Sequence, residues 1–295
     1  MKRANEWAKR MRQPVSPIDA LTDGFATIHR QPFILLFSIG LSAYVWLGSA
    51  ITLALPPYTD QGLIGSFLGT LHAIDARTFL VPTNLIPILT PGVETIIPPP
   101  LVLSVEQYIL ALIGLNLVAL VVSSVFLASL YRLILMRPRP VAQPTLFHHS
   151  LAIAVRLAGV FGLIGSVVVP LLICSGVIIW LMPSTFSLVY TVWIGLGLLG
   201  LVVFGFAPEM IVFHNYGPLM ALQASWRFAR QRWFSIATFL ALCAIIEIGF
   251  AGLWHAVAAQ PGWLAPAIVG QAYIGSGLRT ARLQFYRRYA NVTVS

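Results

Sequence analysis

The chain has 295 residues, of which 58% are apolar and 9% are charged, with a formal net charge of +9. A soluble domain of this size would contain about 25% charged residues, so the composition excludes an ordinary soluble protein and indicates one embedded in a bilayer. A positive charge is also typical of nucleic-acid-binding proteins, but we expect no nucleic-acid partner, because the basic residues follow the membrane topology described below.

Residues 1–32 are predicted to form a basic tail and a surface helix on the cytoplasmic side. Ser16 is a helix N-cap, proline follows it at the first helical position, and Asp19 lies three residues after the cap. One stripe of the helix is apolar: Ile18, Leu21, Phe25 and Ile28. Such an amphipathic helix suits the membrane interface.

Six apolar runs then predict six transmembrane helices within a membrane domain at 33–289, followed by a short cytoplasmic tail at 290–295. The runs are Phe33–Leu55, Tyr108–Leu130, Leu157–Leu181, Leu188–Phe213, Ser235–Trp254 and Trp263–Leu278. The predicted fold is therefore an all-α polytopic bundle. Its long outer loop, 56–107, is proline-rich in its second half, which predicts extended and irregular backbone. This loop is interpreted either as a lid or partner surface, or as simple packing over the bundle.

The basic residues decide the predicted orientation. Of the 18 Lys and Arg residues, all except Arg77 fall in the N-terminal segment before Phe33, the second and fourth connections, or the C-terminal segment after Leu278. Because cytoplasmic loops carry the excess of Lys and Arg, both termini are predicted to be cytoplasmic. We expect a bacterial cytoplasmic membrane and contact with anionic lipid headgroups at its inner face.

A second amphipathic helix opens at Gly217-Pro218, directly before the fifth run. Its apolar stripe is Leu219, Leu222, Trp226, Ala229 and Trp233. Residues 17–33 and 218–234 align without gaps, and a poorer third copy runs from Pro144 to Arg156. This order predicts three repeats of an interfacial helix and a helical hairpin. The alternative is that such helices are simply common in membrane proteins.

Two acidic residues lie within the predicted spans, where ionisable groups are costly. Glu209 is about one turn from the cytoplasmic end of the fourth span. It is predicted to form a structural ion pair with Arg156, or with Arg227 and Arg230 of the interfacial helix; a proton or substrate site is the alternative.

The second acidic residue, Glu247, lies deeper, at nearly the same predicted level as Gln271 and Asn116. A Glu247–Gln271 hydrogen bond would satisfy both side chains. The alternative is a transport-related site. Cys174 and Cys243, both within spans, are interpreted as small apolar core residues.

No catalytic signature is found: the sequence has no His-Glu-x-x-His pair, no Gly-x-Ser-x-Gly elbow and no phosphate-binding glycine loop with Lys. We therefore predict no catalytic residue, cofactor or metal. Glycines on the third and fourth runs, such as Gly159, Gly162 and Gly200, predict that these two helices approach closely.

The segment from Ala207 to Phe234 resembles a bacterial multi-pass family related to the membrane domain of some glycerophosphoryl diester phosphodiesterases. The matching residues are Pro208, Glu209, Gly217, Ala221, Leu222, Ser225 and Arg227. The segment departs at Asn215, where an acidic-basic pair is expected. The resemblance implies the six-span plan but no reaction, because no phosphodiesterase domain is expected after Tyr289.

The expected function is that of a non-catalytic membrane protein, acting as an accessory, scaffold or lipid-associated component, with a possible protein partner or homo-oligomer. The alternative is a transporter for a small or lipid-like solute that uses Glu247, Gln271 and Asn116.

Overall fold

The structure, a computed structural model, describes residues 16–54, 75–77, 85–90, 100–135 and 145–293. These ranges are helical apart from short connections and two three-residue strands, β1 (Ile51–Leu53) and β2 (Leu101–Leu103). The helices are α1 (Pro17–Arg30), α2 (Leu35–Leu47), α3 (Val105–Leu135), α4 (Leu146–Leu181), α5 (Phe186–Phe204), α6 (Ala207–His214), α7 (Pro218–Gln231), α8 (Trp233–Ala258) and α9 (Leu264–Thr293), with 3₁₀ turns at Pro32–Ile34 and Pro183–Thr185.

The chain divides into two compact units. The first unit comprises Met1–Thr27, Leu127–Ile246 and Leu278–Ser295, and the second comprises Ile28–Phe126 and Glu247–Gly277. Helices α1, α3, α8 and α9 each contribute to both units.

Four stretches of the described chain are long and apolar enough to cross a membrane: Val105–Leu135, Leu146–Leu181, Pro183–His214 and Trp233–Ala258. The bent pair Pro17–Arg30 and Pro32–Leu47 would be a fifth if it were one span. The all-α membrane character is thus confirmed, whereas the count of six stays a prediction. Helix α9 is not among these stretches, because its apolar part is short, contains Gln271 and is followed by Arg279.

The first predicted span is wrong at its outer end. The helix stops at Leu47, and Ile51–Leu53 instead pairs in parallel with Leu101–Leu103. Arg77 explains how the helix can stop here: its Nη1 donates to the carbonyls of Val45 at 2.8 Å and Gly48 at 2.7 Å. The terminal carbonyls of a helix need such donors. The one basic residue on the predicted outer side is therefore a buried helix cap, held by Asp75 at 2.6 Å.

Residues Leu85–Thr90, which we name the strap, are an extended segment buried within the second unit. Side chains of the surrounding helices bond its backbone. The Leu85 and Leu89 amides donate to the hydroxyls of Ser123 and Ser42, each at 3.1 Å. The Ser38 hydroxyl donates to the Pro87 carbonyl, and the Trp46 indole donates to the Leu89 carbonyl at 2.8 Å. Irregular backbone is tolerated among transmembrane helices only when it is buried and bonded in this way.

His255 closes the far end of the strap. Its Nε2 lies 2.7 Å from the Thr90 carbonyl oxygen, and its Nδ1 lies 2.6 Å from the carbonyl oxygen of Ala251. The ring of His255 therefore lies between a carbonyl of its own helix and the last carbonyl of the strap. The predicted irregular outer loop is thus, over these six residues, part of the packed interior of its unit.

Helices α1 and α7 begin at Pro17 and Pro218 as predicted, but the faces that they bury consist mainly of small residues. Helix α1 buries Ala20, Gly24 and Ile28, and α7 buries the aligned positions Ala221, Ser225 and Ala229. The large residues Ile18, Leu219 and Trp226 stay at least half exposed. Of the predicted apolar stripes, Ile28 and Ala229 are therefore core, whereas the exposed members are available to lipid.

The third, poorer copy is not a separate interfacial helix. Described backbone resumes at Thr145, and α4 runs unbroken from Leu146 to Leu181.

The glycine prediction is also wrong for α4 and α5. A Cβ added at Gly162 or Gly200 would meet nothing within 4 Å, whereas one at Gly159 would lie 2.4 Å from Pro218 of α7. The absence of a side chain at Gly159 thus allows α7, rather than α5, to pack closely against α4.

We predict that Gly275→Ala lowers the thermal stability of the protein. A Cβ at Gly275 would lie 2.1 Å from the Cβ of Pro87, so the strap must shift. Overpacking of this kind costs about 1–3 kcal/mol. Thermal unfolding in one detergent measures the effect, and Gly114→Ala, where a Cβ meets nothing within 4 Å, is the matched control. Equal melting temperatures for the two variants would contradict the described packing of the strap.

Candidate functional site

A helix break in the first unit organises the candidate site. Pro208 cannot donate a backbone hydrogen bond and clashes with a preceding carbonyl, so the fourth predicted span is divided into α5 and α6 at Gly205–Phe206. Carbonyl groups at the break receive donors from elsewhere in the unit. The hydroxyl of Ser225 on α7 donates to Val203 at 2.7 Å, and Arg282 on α9 donates to Gly205.

Arg282 also neutralises the buried Glu209. Its Nε lies 3.1 Å from Glu209 Oε1, and the side chains are 11% and 5% exposed. The guanidinium carbon lies 5.5 Å from the ring centre of Phe206, within cation–π distance. One side chain therefore joins three features of the break: the freed carbonyl, the carboxylate and the aromatic ring.

Aromatic rings surround this pair and tie four helices together. Phe206 lies 5.4 Å from Phe228 of α7 and 6.0 Å from Phe285 of α9, measured between ring centres. Phe285 stacks on Phe239 of α8 at 4.2 Å. Phe206, Phe239 and Phe285 are fully buried. The cluster keeps water away from the ion pair and fixes α7 and α9 beside α6.

Beside the cluster lies a cavity of about 300 Å³ between α6, α7 and α9. Its polar lining comes from His214, Tyr216, Gln223, Arg227, Gln231 and Tyr286, and its apolar lining comes from Met210, Met220, Ala224 and Phe228. Among these side chains Arg227 alone carries a permanent charge. The cavity thus offers one cation and several hydrogen-bonding groups next to thioether and aromatic surface.

Tyr286 contributes a hydroxyl that stays protonated. Burial raises the pKa of Tyr286 above its ordinary value, and the nearby Tyr216 and Glu209 raise it further. Because no tyrosinate forms near neutral pH, the cavity gains no negative charge from this side chain. An anion in the cavity would therefore meet a hydrogen-bond donor at Tyr286 and a cation at Arg227.

The predicted partners of Glu209 are corrected by the structure. Its partner is Arg282, because α9 continues 15 residues beyond the predicted end of the sixth span at Leu278. Arg156 instead donates to the side chain of Asn215, which ends α6 in the left-handed conformation with φ of 57°. Arg227 lines the cavity, and Arg230 is exposed outside its lining.

The predicted intramembrane group is not brought together in the second unit. Glu247 is exposed, and Gln271 is 3% exposed with its Oε1 lacking a hydrogen-bond partner. The predicted hydrogen bond between them is therefore not formed. Asn116 Nδ2 donates to the carbonyl of Leu112, one turn back on its own helix, at 2.8 Å. Gln271 shares a face of α9 with Ile268 and Gly275, so it is directed toward the strap.

Sequence reasoning missed Arg282, Tyr286 and His214. Arg282 and Tyr286 are four residues apart and share a helix face, but both lie beyond the predicted end of the sixth span at Leu278. The available signal was the aromatic content of Phe285, Tyr286 and Tyr289, which is unusual for a solvated segment.

Within the described ranges, no group of three or more His, Cys, Asp and Glu side chains could hold a metal ion. No family model, curated protein or solved structure matches the chain.

We predict that Arg282→Met destabilises the protein by about 3–5 kcal/mol, because it leaves a buried carboxylate without its cation. Arg288→Met is the control on the same helix. Its partner is Asp23, the two side chains are 36% and 43% exposed, and exposed pairs contribute below about 1 kcal/mol. Unfolding in detergent measures both. A loss for Arg282→Met as small as that for Arg288→Met would contradict the organising role of this pair.

Proposed function

We propose that the protein is a non-catalytic integral membrane protein, an accessory or scaffold component that binds an anionic lipid headgroup in the cavity between α6, α7 and α9. The observation that carries this proposal is the cavity lining. It combines Arg227 and neutral donors with the apolar surface of Met210, Met220 and Phe228, and no carboxylate lines it.

The chemistry of the lining favours a phosphate-bearing headgroup. A guanidinium offers paired N–H donors that match phosphate oxygens. Gln223 and Gln231 lie one turn before and one turn after Arg227 on the same helix, and can donate to further oxygens of the headgroup. The apolar lining suits the carbon atoms next to the phosphate.

The charge distribution supports placing this cavity at the cytoplasmic face. Arg227, Arg230 and Arg232 lie in the connection between the fourth and fifth predicted spans, and juxtamembrane Lys and Arg are attracted to anionic leaflets. The exposed Leu219 and Trp226 then fit the interfacial layer. We propose on this basis the six-span arrangement with both termini cytoplasmic, and a relationship to the family that the segment at 207–234 resembles.

This topology predicts the activity of fused reporters. A reporter fused after Ser295 should be active only inside the cell, because the charge rule places the C-terminus there. A reporter fused after Gln260, in the link between α8 and α9, should be active only outside. If both reporters are active on the same side of the membrane, the result contradicts the proposed sixth span.

Arg227→Gln should weaken the binding of phosphatidylglycerol by about tenfold or more, because a charge-assisted hydrogen bond contributes about 1.5–3 kcal/mol. Native mass spectrometry of the purified protein, with phosphatidylcholine as the neutral comparison lipid, measures the retained lipid. Arg230→Gln removes the same charge one turn away, outside the cavity lining, and is the control. Equal effects of the two variants would mean that only the general surface charge attracts the lipid.

A transporter is the second candidate, and the buried Gln271 favours it. Its Oε1 is buried without a partner and its helix face is directed toward the strap, so a polar solute could satisfy it. Accumulation of a solute in proteoliposomes by the wild type but not by folded Gln271→Leu protein would favour transport. Accumulation by neither protein would favour the accessory role.

A further inference from the structure

We propose that an open groove between α4 and the start of α7 holds an acyl chain of the same anionic phospholipid whose headgroup occupies the cavity. This inference rests on the proposed function and adds to it the class of ligand, a membrane phospholipid rather than a soluble phosphate.

The groove has a volume of about 530 Å³ and a wholly apolar character. Its lining consists of Gly159, Gly162 and Leu163 on α4, and Gly217, Pro218, Leu219 and Met220 at the start of α7. None of these side chains carries a hydrogen-bonding group, so the groove offers nothing to a headgroup or to a soluble anion. A hydrocarbon chain is the complementary occupant.

Two glycines shape the groove in different ways. A Cβ at Gly159 would lie 2.4 Å from Pro218, so the bare backbone there lets α7 press against α4. A Cβ at Gly162, nearly one turn further along α4, would meet nothing within 4 Å. Close contact at the first position and open space at the second produce a depression on the surface of the first unit.

Met220 connects the groove to the cavity, because it lines both. Arg227 follows Met220 by seven residues, which places it on the same face of α7 and about 10 Å along the helix axis. The apolar and cationic ends of the combined site are thus separated by about the distance between a phosphate and the first part of its acyl chain. Because Met220 lines both the groove and the cavity, we assign the two to a single amphiphilic ligand.

The position of the groove also agrees with the polarity of a bilayer. Gly159 and Gly162 lie in Leu146–Leu181, a helix long and apolar enough to span the membrane. Arg227 lies on α7, which carries three charged or amide side chains in its second half, at Arg227, Arg230 and Gln231. A lipid bound across both would therefore keep its chain on the apolar helix and its phosphate on the polar one.

Gly162→Leu tests the groove, because its side chain would occupy the open space directly. Gly165→Leu is the matched control: it adds the same side chain to the same helix, also where nothing lies within 4 Å, but outside the groove lining. Purified full-length protein is titrated with long-chain phosphatidylglycerol, with a short-chain phosphatidylglycerol and with glycerol phosphate, and native mass spectrometry measures the bound fraction.

We expect Gly162→Leu to weaken binding of the long-chain lipid by about tenfold, equivalent to about 1.4 kcal/mol, and to leave binding of glycerol phosphate unchanged. Gly165→Leu should match the wild type. Equal affinity of Gly162→Leu and Gly165→Leu for the long-chain lipid overturns the groove, and so does wild-type protein that binds glycerol phosphate as tightly as the long-chain lipid.

The outcome for Arg227→Gln separates this inference from the proposed function. If Arg227→Gln loses the lipid while Gly162→Leu retains it, the result supports the headgroup site and contradicts the groove. If neither variant loses the lipid, the result contradicts both the headgroup site and the groove. If Gly162→Leu melts at a lower temperature than the wild type, Leu163→Trp replaces it, because the larger side chain narrows the same groove from the next residue. Its lipid affinity is then compared with that of Gly165→Leu in the same way.

Discussion

The side chain of Arg282 is the constraint on which the first unit depends. The break at Gly205–Phe206 leaves peptide carbonyls without helical partners, and an apolar environment makes such groups costly. Arg282 donates to one of them, and the same guanidinium neutralises the buried Glu209. A buried ion pair contributes little net stability by itself, but removing one partner is costly. Its main effect is therefore on geometry, since it holds α9 beside the break, and α9 in turn supplies Tyr286 to the cavity.

The second unit meets the same requirement with different residues. The strap is non-helical backbone, and Ser38, Ser42, Trp46, Ser123 and His255 supply the hydrogen bonds that its peptide groups lack. Arg77 does the same for the end of α2. In both units, polar side chains on otherwise apolar helices thus bond backbone groups that a helix break or an extended segment leaves without helical partners.

Features of the fold that depend on neighbouring residues were predicted from the sequence, whereas those that depend on residues distant in the sequence were not. The starts of α1 and α7 follow from local chemistry, a proline at the first helical position and an amphipathic pattern, and they were predicted correctly. The partner of Glu209 lies 73 residues away in sequence, on a helix whose length was underestimated because its basic residues resemble a tail. Periodicity cannot identify such a partner. The strap was harder still, because hydrogen bonds from five separate side chains make its burial possible, and no local pattern records them.

The buried faces of α1 and α7 show why apolar residues alone are a poor guide to packing in this chain. Small residues at Ala221, Ser225 and Ala229 bring the α7 backbone close enough for Ser225 to reach the Val203 carbonyl. A large side chain at Ser225 would hold the helix away and leave that carbonyl unbonded. Leu219 and Trp226 consequently face outward, where a bilayer rather than protein can cover them.

In a water-soluble protein, the larger apolar residues would be expected inside. In a membrane protein the interior selects residues that allow close approach and hydrogen bonding, and lipid covers the rest. The same close approach of α7, at Pro218 against Gly159, is what creates the edge of the groove.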